Sequence, residues 1–376
     1  MSRVDALVTD AHFRWSVAGI RGLGRAGIET VALGPRRTAA GLWSRYVKAR
    51  ELGPDPLSDA PGYVAAVARV AKRRGPIVVY PGEERAIDAL TDTRLPPEAV
   101  LPYPAGEVMA RLRDKRQLAA LAAESGLGAP RTLALGTVTE LRSAPPRTPC
   151  AIKAVHRGSS LDATRVAATG EELLAILDGL PDSEVLLVQE ALEGPLTGLA
   201  LVVSADGSVA ARFQQVTWRT WPVEAGGSTL ATSVAPDDRL VESSARMLAV
   251  GGYWGLAHLQ FLRSSRGLAL IDVNTRFYGS LPLALAAGVN LASAWHAVTV
   301  GDAVPRPGTY SVGVTYRWFE AELAAAFRGN RRLMARRAPQ PRVGAMWAID
   351  DPLPSLMMGL GSAISKLRRR LPSGRG

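Results

Sequence analysis

The sequence predicts a multidomain protein, α/β at its start and α+β further on, and three observations carry that prediction. The 376 residues exceed what one ordinary core holds, so two or three domains are expected. Hydrophobic residues make up 47% and charged residues 21%, the balance of a globular chain rather than a disordered or fibrous one. Strand and amphipathic-helix patterns alternate over the first hundred residues and then give way to closely spaced strands.

Val4 to Thr9 reads as a buried strand, Phe13 to Arg25 as an amphipathic helix and Glu29 to Leu33 as a second strand, a βαβ opening that implies a parallel sheet. Ile77 to Tyr80 is a further strand, followed by the helical pattern Glu83 to Leu90. Gly22-Leu23-Gly24-Arg25-Ala26-Gly27 matches the dinucleotide fingerprint in letters, but that motif must open a helix after a strand. Here it ends one, so Gly27 is read as the residue just past the helix and no nicotinamide cofactor is expected.

Arg111 to Ser125 is expected to form one helix closed by Gly126, and Cys150 to Val155 a strand after the turn-forming run Pro145 to Pro149. Val185 to Gln189, Gly198 to Ser204, Val209 to Gln214, Leu256 to Leu262 and Leu268 to Val273 read as strands, with Asp206-Gly207 turning a hairpin. Leu281 to Val300 is apolar but carries Asn290 and His296, so it reads as a buried helix rather than a membrane span of about 20 apolar residues. The expected domains are 1–108, 109–184, 185–327 and a basic extension, 328–376, read as peripheral.

Cys150 is the one cysteine and the four histidines are scattered, which excludes an intramolecular disulfide and argues against a zinc site. Arg3, Asp5 and Asp10 interrupt the first apolar run, so no signal peptide is expected and the location is read as cytoplasmic. The net charge of +11 gathers near the end, in Arg328, Arg331, Arg332, Arg336, Arg337, Lys366 and Arg368 to Arg370. That pattern reads as a solvated tail with at most weak membrane-surface contact, and no specific nucleic acid is expected. Five of the 45 basic residues are lysine; in so arginine-rich a chain, Lys115 and Lys153 draw notice as places where a compact ammonium is required.

Phosphate chemistry needs cations, a covering loop and hard oxygen ligands for Mg²⁺. Asp272 and Asn274 stand at i, i+2 on one strand, so both face the same way, and a hairpin would bring Gln260 beside them. Taken alone, the pair also reads as an ordinary strand ending. Lys153 lies in the apolar strand Ala151-Ile152-Lys153-Ala154-Val155, where a charge is costly unless it meets an anion, or else marks a sheet edge. His156-Arg157-Gly158-Ser159-Ser160 is a polar glycine loop able to fold over phosphates. The strand through Val188-Gln189-Glu190 runs into a turn, Ala191 to Gly194, that could present backbone groups to a flat base.

In that order the elements resemble the ATP-grasp superfamily over roughly residues 1 to 300: a Rossmann-like pre-ATP-grasp domain, a helix opened by Asp114-Lys115, the strand lysine Lys153, the hinge Gln189-Glu190 and the metal strand Asp272-Val273-Asn274. The set Gln260, Asp272 and Asn274 looks nearest the carbamoyl-phosphate-synthase-like carboxylate–amine ligases, whose metal set is Gln, Glu and Asn. The resemblance implies ATP and two Mg²⁺ ions, or Mn²⁺ in their place, with Lys115 and Lys153 on the phosphates, Glu190 and Leu192 at adenine and Ser159 in the covering loop. It implies a small-molecule carboxylate activated as an acyl phosphate and attacked by a small-molecule amine, with Arg276 and Arg219 as holders of the acid, in a chain that could form a homodimer. Trp218 to Gly227, with Arg219, Pro222, Gly226 and Gly227, resembles the substrate loop of such ligases. The alternatives are a carbamate- or bicarbonate-phosphorylating enzyme and a silent ATP-binding protein. Two departures stand out: the acid that usually holds ribose has no clear counterpart, Glu193 standing early, and Asp272 is one methylene shorter than the usual glutamate.

Overall fold

The computed structural model describes residues 4–155, 159–161, 163–222, 226–304, 307–327 and 343–370. Along the chain these form β1 (Asp5–Val8), α1 (Arg14–Arg25), β2 (Thr30–Gly34), β3 (Val47–Leu52), α2 (Ala60–Arg74), β4 (Ile77–Tyr80), α3 (Glu84–Thr91) and β5 (Ala99–Val100). Next come α4 (Gly106–Arg113), α5 (Lys115–Glu124), β6 (Thr132–Thr137), α6 (Val138–Ser143), β7 (Cys150–Ala154), β8 (Arg165–Ala167), α7 (Gly170–Asp178) and β9 (Val185–Glu190). The remainder comprises β10 (Leu196–Val203), β11 (Val209–Trp221), β12 (Gly227–Val234), α8 (Asp238–Val250), β13 (Gly255–Ser264) and β14 (Gly267–Asn274). Last are α9 (Leu281–Ala287), α10 (Leu291–Val300), β15 (Thr315–Arg317), α11 (Phe319–Phe327), β16 (Val343–Gly344) and α12 (Leu353–Arg370).

The opening α/β pattern forms a five-stranded parallel sheet in the order β3-β2-β1-β4-β5. Its inner strands are buried on both faces, which is why β4 reads as the continuous apolar run Ile-Val-Val-Tyr. The edge strand β3 instead alternates half-buried and exposed residues. Gly27 has φ +73 just past α1, so the fingerprint-like glycines do end a helix. They serve packing: a Cβ on Gly22 would lie 2.8 Å from that of Ala292, and one on Gly24 would lie 2.4 Å from that of Tyr46.

Two further sheets follow. Strands β6-β9-β7-β8 make a four-stranded antiparallel lobe, and β14-β13-β10-β11-β12-β15-β16 make a seven-stranded sheet, antiparallel except for β15 and β16. The five- and seven-stranded sheets share one core, which runs from Val8, Ile20 and Tyr80 through Leu201 and Phe261 to Trp295. The small lobe has its own, built on Val138, Ile152, Leu173, Leu177, Leu186 and Val188.

Several expectations need correction. The helix expected over 111–125 is two, because Asp114 leaves helical geometry (ψ 113) to accept from the backbone N–H groups of Arg116 and Gln117 and so caps α5. The domain boundaries at 109 and 184 cut packed units. Met109, Leu112, Leu118 and Leu121 belong to the large shared core, and β9 pairs with both β6 and β7 inside the small lobe. The apolar stretch 281–300 is a bent pair of helices, broken at Gly288 (φ +103) and meeting at 95°. Among the described residues no single helix is long and apolar enough to cross a membrane.

The C-terminal segment, expected to be peripheral, adds β16 to the edge of the seven-stranded sheet and from Met346 packs back onto the first domain. Asp351, 1% exposed, accepts from Arg21 Nε at 2.9 Å, Ser44 Oγ at 2.8 Å and the Arg45 N–H at 2.9 Å. Met346 packs against Val17 and Ala40. A buried carboxylate is tolerable only with such partners, and here they all come from the α1–β3 region. The arginines at 328–337 all lie outside the described residues.

Candidate active site

The site is organised by the hairpin β13–β14. Antiparallel register sets Gln260 opposite Asp272 and His258 opposite Asn274, so Gln260, Asp272 and Asn274 present their side chains on one face. The register shifts just beyond Gln260, leaving Ile271 as an extra residue on β14. Such a bulge turns a carbonyl out of the ladder, and Lys153 Nζ donates to the Ile271 carbonyl at 3.3 Å. Nothing in the residue types of 268–274 signals that bulge.

Lys115 opens α5 and makes a direct ion pair with Asp272 Oδ1. The two side chains remain 25% and 34% exposed. Asn274 Nδ2 donates to Asp272 Oδ2 at 3.2 Å, a bond that uses the amide nitrogen and not the side-chain oxygen Oδ1. Burial opposes charge on both partners of the pair, yet Asp272 holds the Lys115 ammonium above its ordinary pKa and Lys115 holds the Asp272 carboxyl below its own. Lys153 differs: burial and the neighbouring Lys115 outweigh Asp272 and bring its pKa down to about 8.

Lys115, Lys153, Gln260 and Asp272 line a cleft of about 700 Å³ together with Glu190, Leu192 and Glu193, whereas Asn274 is not among its lining residues. Strand β9 delivers Glu190 there because it pairs with β7, the strand that carries Lys153. The Glu190 carboxylate turns aside to accept from the Arg131 N–H at 2.9 Å. Ser159 is not among the cleft-lining residues; its Oγ accepts from the Leu161 N–H at 2.9 Å, and residues 156–158 of the expected covering loop lie outside the described residues.

Arg219 borders the cleft but is committed elsewhere: its Nη1 lies 3.0 Å from Glu322 Oε1, and Glu322 is fully buried. A carboxylate so enclosed requires cations, and Arg317 supplies a second. The segment around Arg219 is strand rather than loop, since β11 runs on to Trp221 and only 222–226 separate it from β12. Arg276, two residues beyond Asn274, packs over Trp15 of the first domain, 4.8 Å from the ring centre, and donates to the Phe277 carbonyl at 3.1 Å. His258, buried and stacked on Tyr278 at 4.0 Å, was not marked by any sequence signal.

The oxygen donors of Gln260, Asp272 and Asn274 suit a hard divalent cation such as Mg²⁺, and the lysines beside them suit phosphate oxygens. Residues 182–322 match the family model described as ATP-grasp in the biosynthetic pathway with Ter operon. No curated protein sequence matches the chain. Among solved structures it is similar to biotin carboxylase from Campylobacter jejuni, with TM-score 0.62 and 16% identity over 83% of this chain and 74% of that one. It is similar to N5-carboxyaminoimidazole synthetase from Staphylococcus aureus, with TM-score 0.62 and 11% identity over 84% and 81%. L-amino acid ligase from Bacillus licheniformis aligns with TM-score 0.58 and 14% identity over 80% and 75%. The five-stranded sheet, the four-stranded lobe and the seven-stranded sheet are thus a known arrangement: the chain has the ATP-grasp fold, and over 182–322 it carries the sequence pattern of an ATP-grasp family.

Proposed function

We propose that the chain is an ATP-dependent carboxylate–amine ligase, forming an amide or peptide bond through an acyl phosphate. What carries this reading is the convergence of Lys115, Lys153 and Asp272 from three separate elements, with Gln260 in register beside Asp272, on one wall of a cleft large enough for a nucleotide. Glu190 and Leu192 would border the adenine, and Glu193, which lines the same cleft, would be the candidate acid for the ribose.

Lys115 and Lys153 would meet the phosphate oxygens, and Gln260, Asp272 and Asn274 would hold Mg²⁺, two ions in the fullest form of the site. Bound there, the metal neutralises charge on the transferring phosphoryl group. Asp272 already has Lys115 on one carboxylate oxygen, so the pair poises one cation for phosphate and one anion for metal on the same spot. Arg276 takes over the acid-holding role that Arg219 cannot fill while it neutralises Glu322. A carboxylate oxygen near Arg276 attacks the γ-phosphorus as its bond to ADP breaks. The amine then attacks the acyl carbon and phosphate leaves with the electron pair.

The test is ADP formation with Mg²⁺ and ATP against a panel of small carboxylates and amines. Wild type should show acid- and amine-dependent release. Lys153→Ala and Asp272→Ala should each lower it by at least about 10³-fold, the scale of lost transition-state charge stabilisation, with folding retained. Unaltered turnover in either variant would sink the assignment.

A further inference from the structure

The arginines around the metal face fall into two groups. Arg219 and Arg317 are both neutralised by Glu322. Arg14 and Arg276 have no carboxylate within ion-pair distance among the described residues. Arg14 is 9% exposed, and its two hydrogen bonds, from Nη1 to the Gly279 carbonyl and the Tyr316 hydroxyl, both at 2.8 Å, go to neutral acceptors. Arg276 Nε is buried without a hydrogen-bond partner, and the carboxylates of Glu84, Asp272 and Glu83 act on it only from beyond contact, so Arg14 is the guanidinium with neutral acceptors alone. A buried guanidinium balanced only by neutral acceptors is costly unless an anion completes it.

The placement of Arg14 is strongly determined. Its guanidinium stacks on Trp318, 3.8 Å from the ring centre, and sits 5.9 Å from Trp15, the indole that Arg276 approaches to 4.8 Å. A Cβ on Gly279 would lie 2.3 Å from Arg14 Nη2, and one on Gly227 would lie 2.9 Å from it. Neither glycine has positive φ, so both are explained by the room the guanidinium needs. Gly227 adjoins Gly226, which lines the cleft. Arg276 follows β14 directly, whereas Arg14 comes from the first domain, is not itself among the cleft-lining residues, and meets Arg276 across the Trp15 indole.

We propose that Arg14 receives a second carboxylate, one that is bound but not phosphorylated, so that the two substrates together carry two acid groups. The proposal rests on the ligase reading and gives it a substrate class. A planar guanidinium held by an aromatic face presents its N–H edge to a carboxylate, a geometry that a lysine cannot reproduce. The second acid belongs either to an amino-acid acceptor or to a dicarboxylate donor.

The experiment compares acids with their carboxamides on wild type, Arg14→Gln and Arg14→Lys. One arm offers simple monocarboxylates with the common L-amino acids or their carboxamides as acceptors. The other offers succinate and glutarate or their half-amides with ammonia and methylamine. In the productive arm, the carboxamide should raise KM at least about 100-fold in wild type, because it leaves a buried guanidinium without its charge partner, with kcat little changed. In Arg14→Gln, acid and carboxamide should become equivalent, and Arg14→Lys should discriminate weakly. Equal KM values for acid and carboxamide in wild type, or discrimination that survives Arg14→Gln, would overturn the proposal.

If no pair turns over, the same comparison is read from melting-temperature shifts at millimolar probe. A wild-type shift by acids alone, lost in Arg14→Gln, supports the subsite; no shift, or one retained in Arg14→Gln, overturns it. Titration with ATP and Mg²⁺ runs in parallel on all three proteins. Absent nucleotide binding in wild type tells against the ligase reading, while nucleotide binding without acid selectivity tells against the Arg14 subsite alone. Arg14→Lys, which keeps the charge and a donor to the Gly279 carbonyl, covers the case in which Arg14→Gln does not fold.

Discussion

Tyr80 of the five-stranded sheet meets Phe277 at 5.3 Å and Trp295 at 4.9 Å, ring centre to ring centre, so the first domain and the seven-stranded sheet close on the same aromatic layer. The four-stranded lobe has no share in that layer. It buries its own Leu173, Leu177, Leu186 and Val188, and it meets the β13–β14 hairpin through polar contacts, Lys153 to Ile271 and the pair Arg266–Glu190. One body therefore carries Gln260, Asp272, Asn274, Arg276 and Arg14 in fixed relation, and a second unit carries Lys153 and Glu190. Separate cores let a unit open without unfolding its neighbour, which is what closure over a nucleotide demands.

The largest effect is expected where the joined body is stapled. Asp351→Ala leaves Arg21, 5% exposed, without its charge partner and should lower stability by about 3–5 kcal/mol, as removal of one member of a buried pair does. Denaturant titration measures this; a loss under about 1 kcal/mol would show that the C-terminal segment is not part of the body.

Leu186→Ala should cost about 2–5 kcal/mol through the cavity it leaves, but only within the small lobe. Hydrogen exchange should show lost protection over residues 132–190 and unchanged protection over β1, β4 and β10. Uniform loss of protection would erase the distinction between the two units.

Much of this division was legible in the residues, and the illegible parts have physical reasons. Strand β4 announced itself because a doubly buried parallel strand is a continuous apolar run, and Gly27 because a helix stop needs positive φ. The i, i+2 spacing of Asp272 and Asn274 did put them on one face with Gln260 alongside. The local pattern ran one helix through Asp114, because a capping aspartate also reads as a polar residue within a helix, whereas the family resemblance, which opens a helix at Asp114-Lys115, placed the break correctly. Arg219 misled because its partner Glu322 is about a hundred residues away and only tertiary packing joins them. The small-lobe boundary was missed at β9 for the same reason: pairing with β6 and β7 is non-local.

The two units meet at Lys153, whose cost can be measured. Its pKa of about 8 in the folded chain is below the 10.5 of a free lysine, so the native state holds fewer protons than the unfolded one between those values. Wild-type stability should therefore rise with pH across that window. Lys153→Met should remove the slope and stabilise the protein at pH 7 by about 1 kcal/mol, or roughly 2 °C in Tm, an advantage gone by about pH 10.5. ATP-dependent phosphate release should meanwhile be lost at every pH, and in wild type it should decline above about pH 8 as the ammonium deprotonates. A destabilised Lys153→Met would mean that the lysine serves the lobe's packing rather than an anion.

The smallest effect sharpens the first comparison, because Asp350 repeats the pairing of Asp351 in solvent. Arg21 and Arg25 lie one turn apart on α1 and reach successive aspartates, but Arg25 and Asp350 are 36% and 41% exposed where the other pair is 5% and 1%. Partial burial pushes the Asp350 carboxyl up, yet the Tyr46 hydroxyl at 2.7 Å and Arg25 at 2.8 Å outweigh it and hold its pKa below the ordinary value of 3.8. Its contribution is thus present above that value and lost as the pH falls below it. Exposed pairs give up most of their attraction to water and side-chain entropy, so Asp350→Ala should cost less than about 1 kcal/mol at pH 7. That cost should shrink further in 1 M salt, where screening acts within about 3 Å, while the Asp351→Ala penalty should persist. Equal penalties at the two positions would mean that burial is not what fastens the C-terminal segment to the first domain.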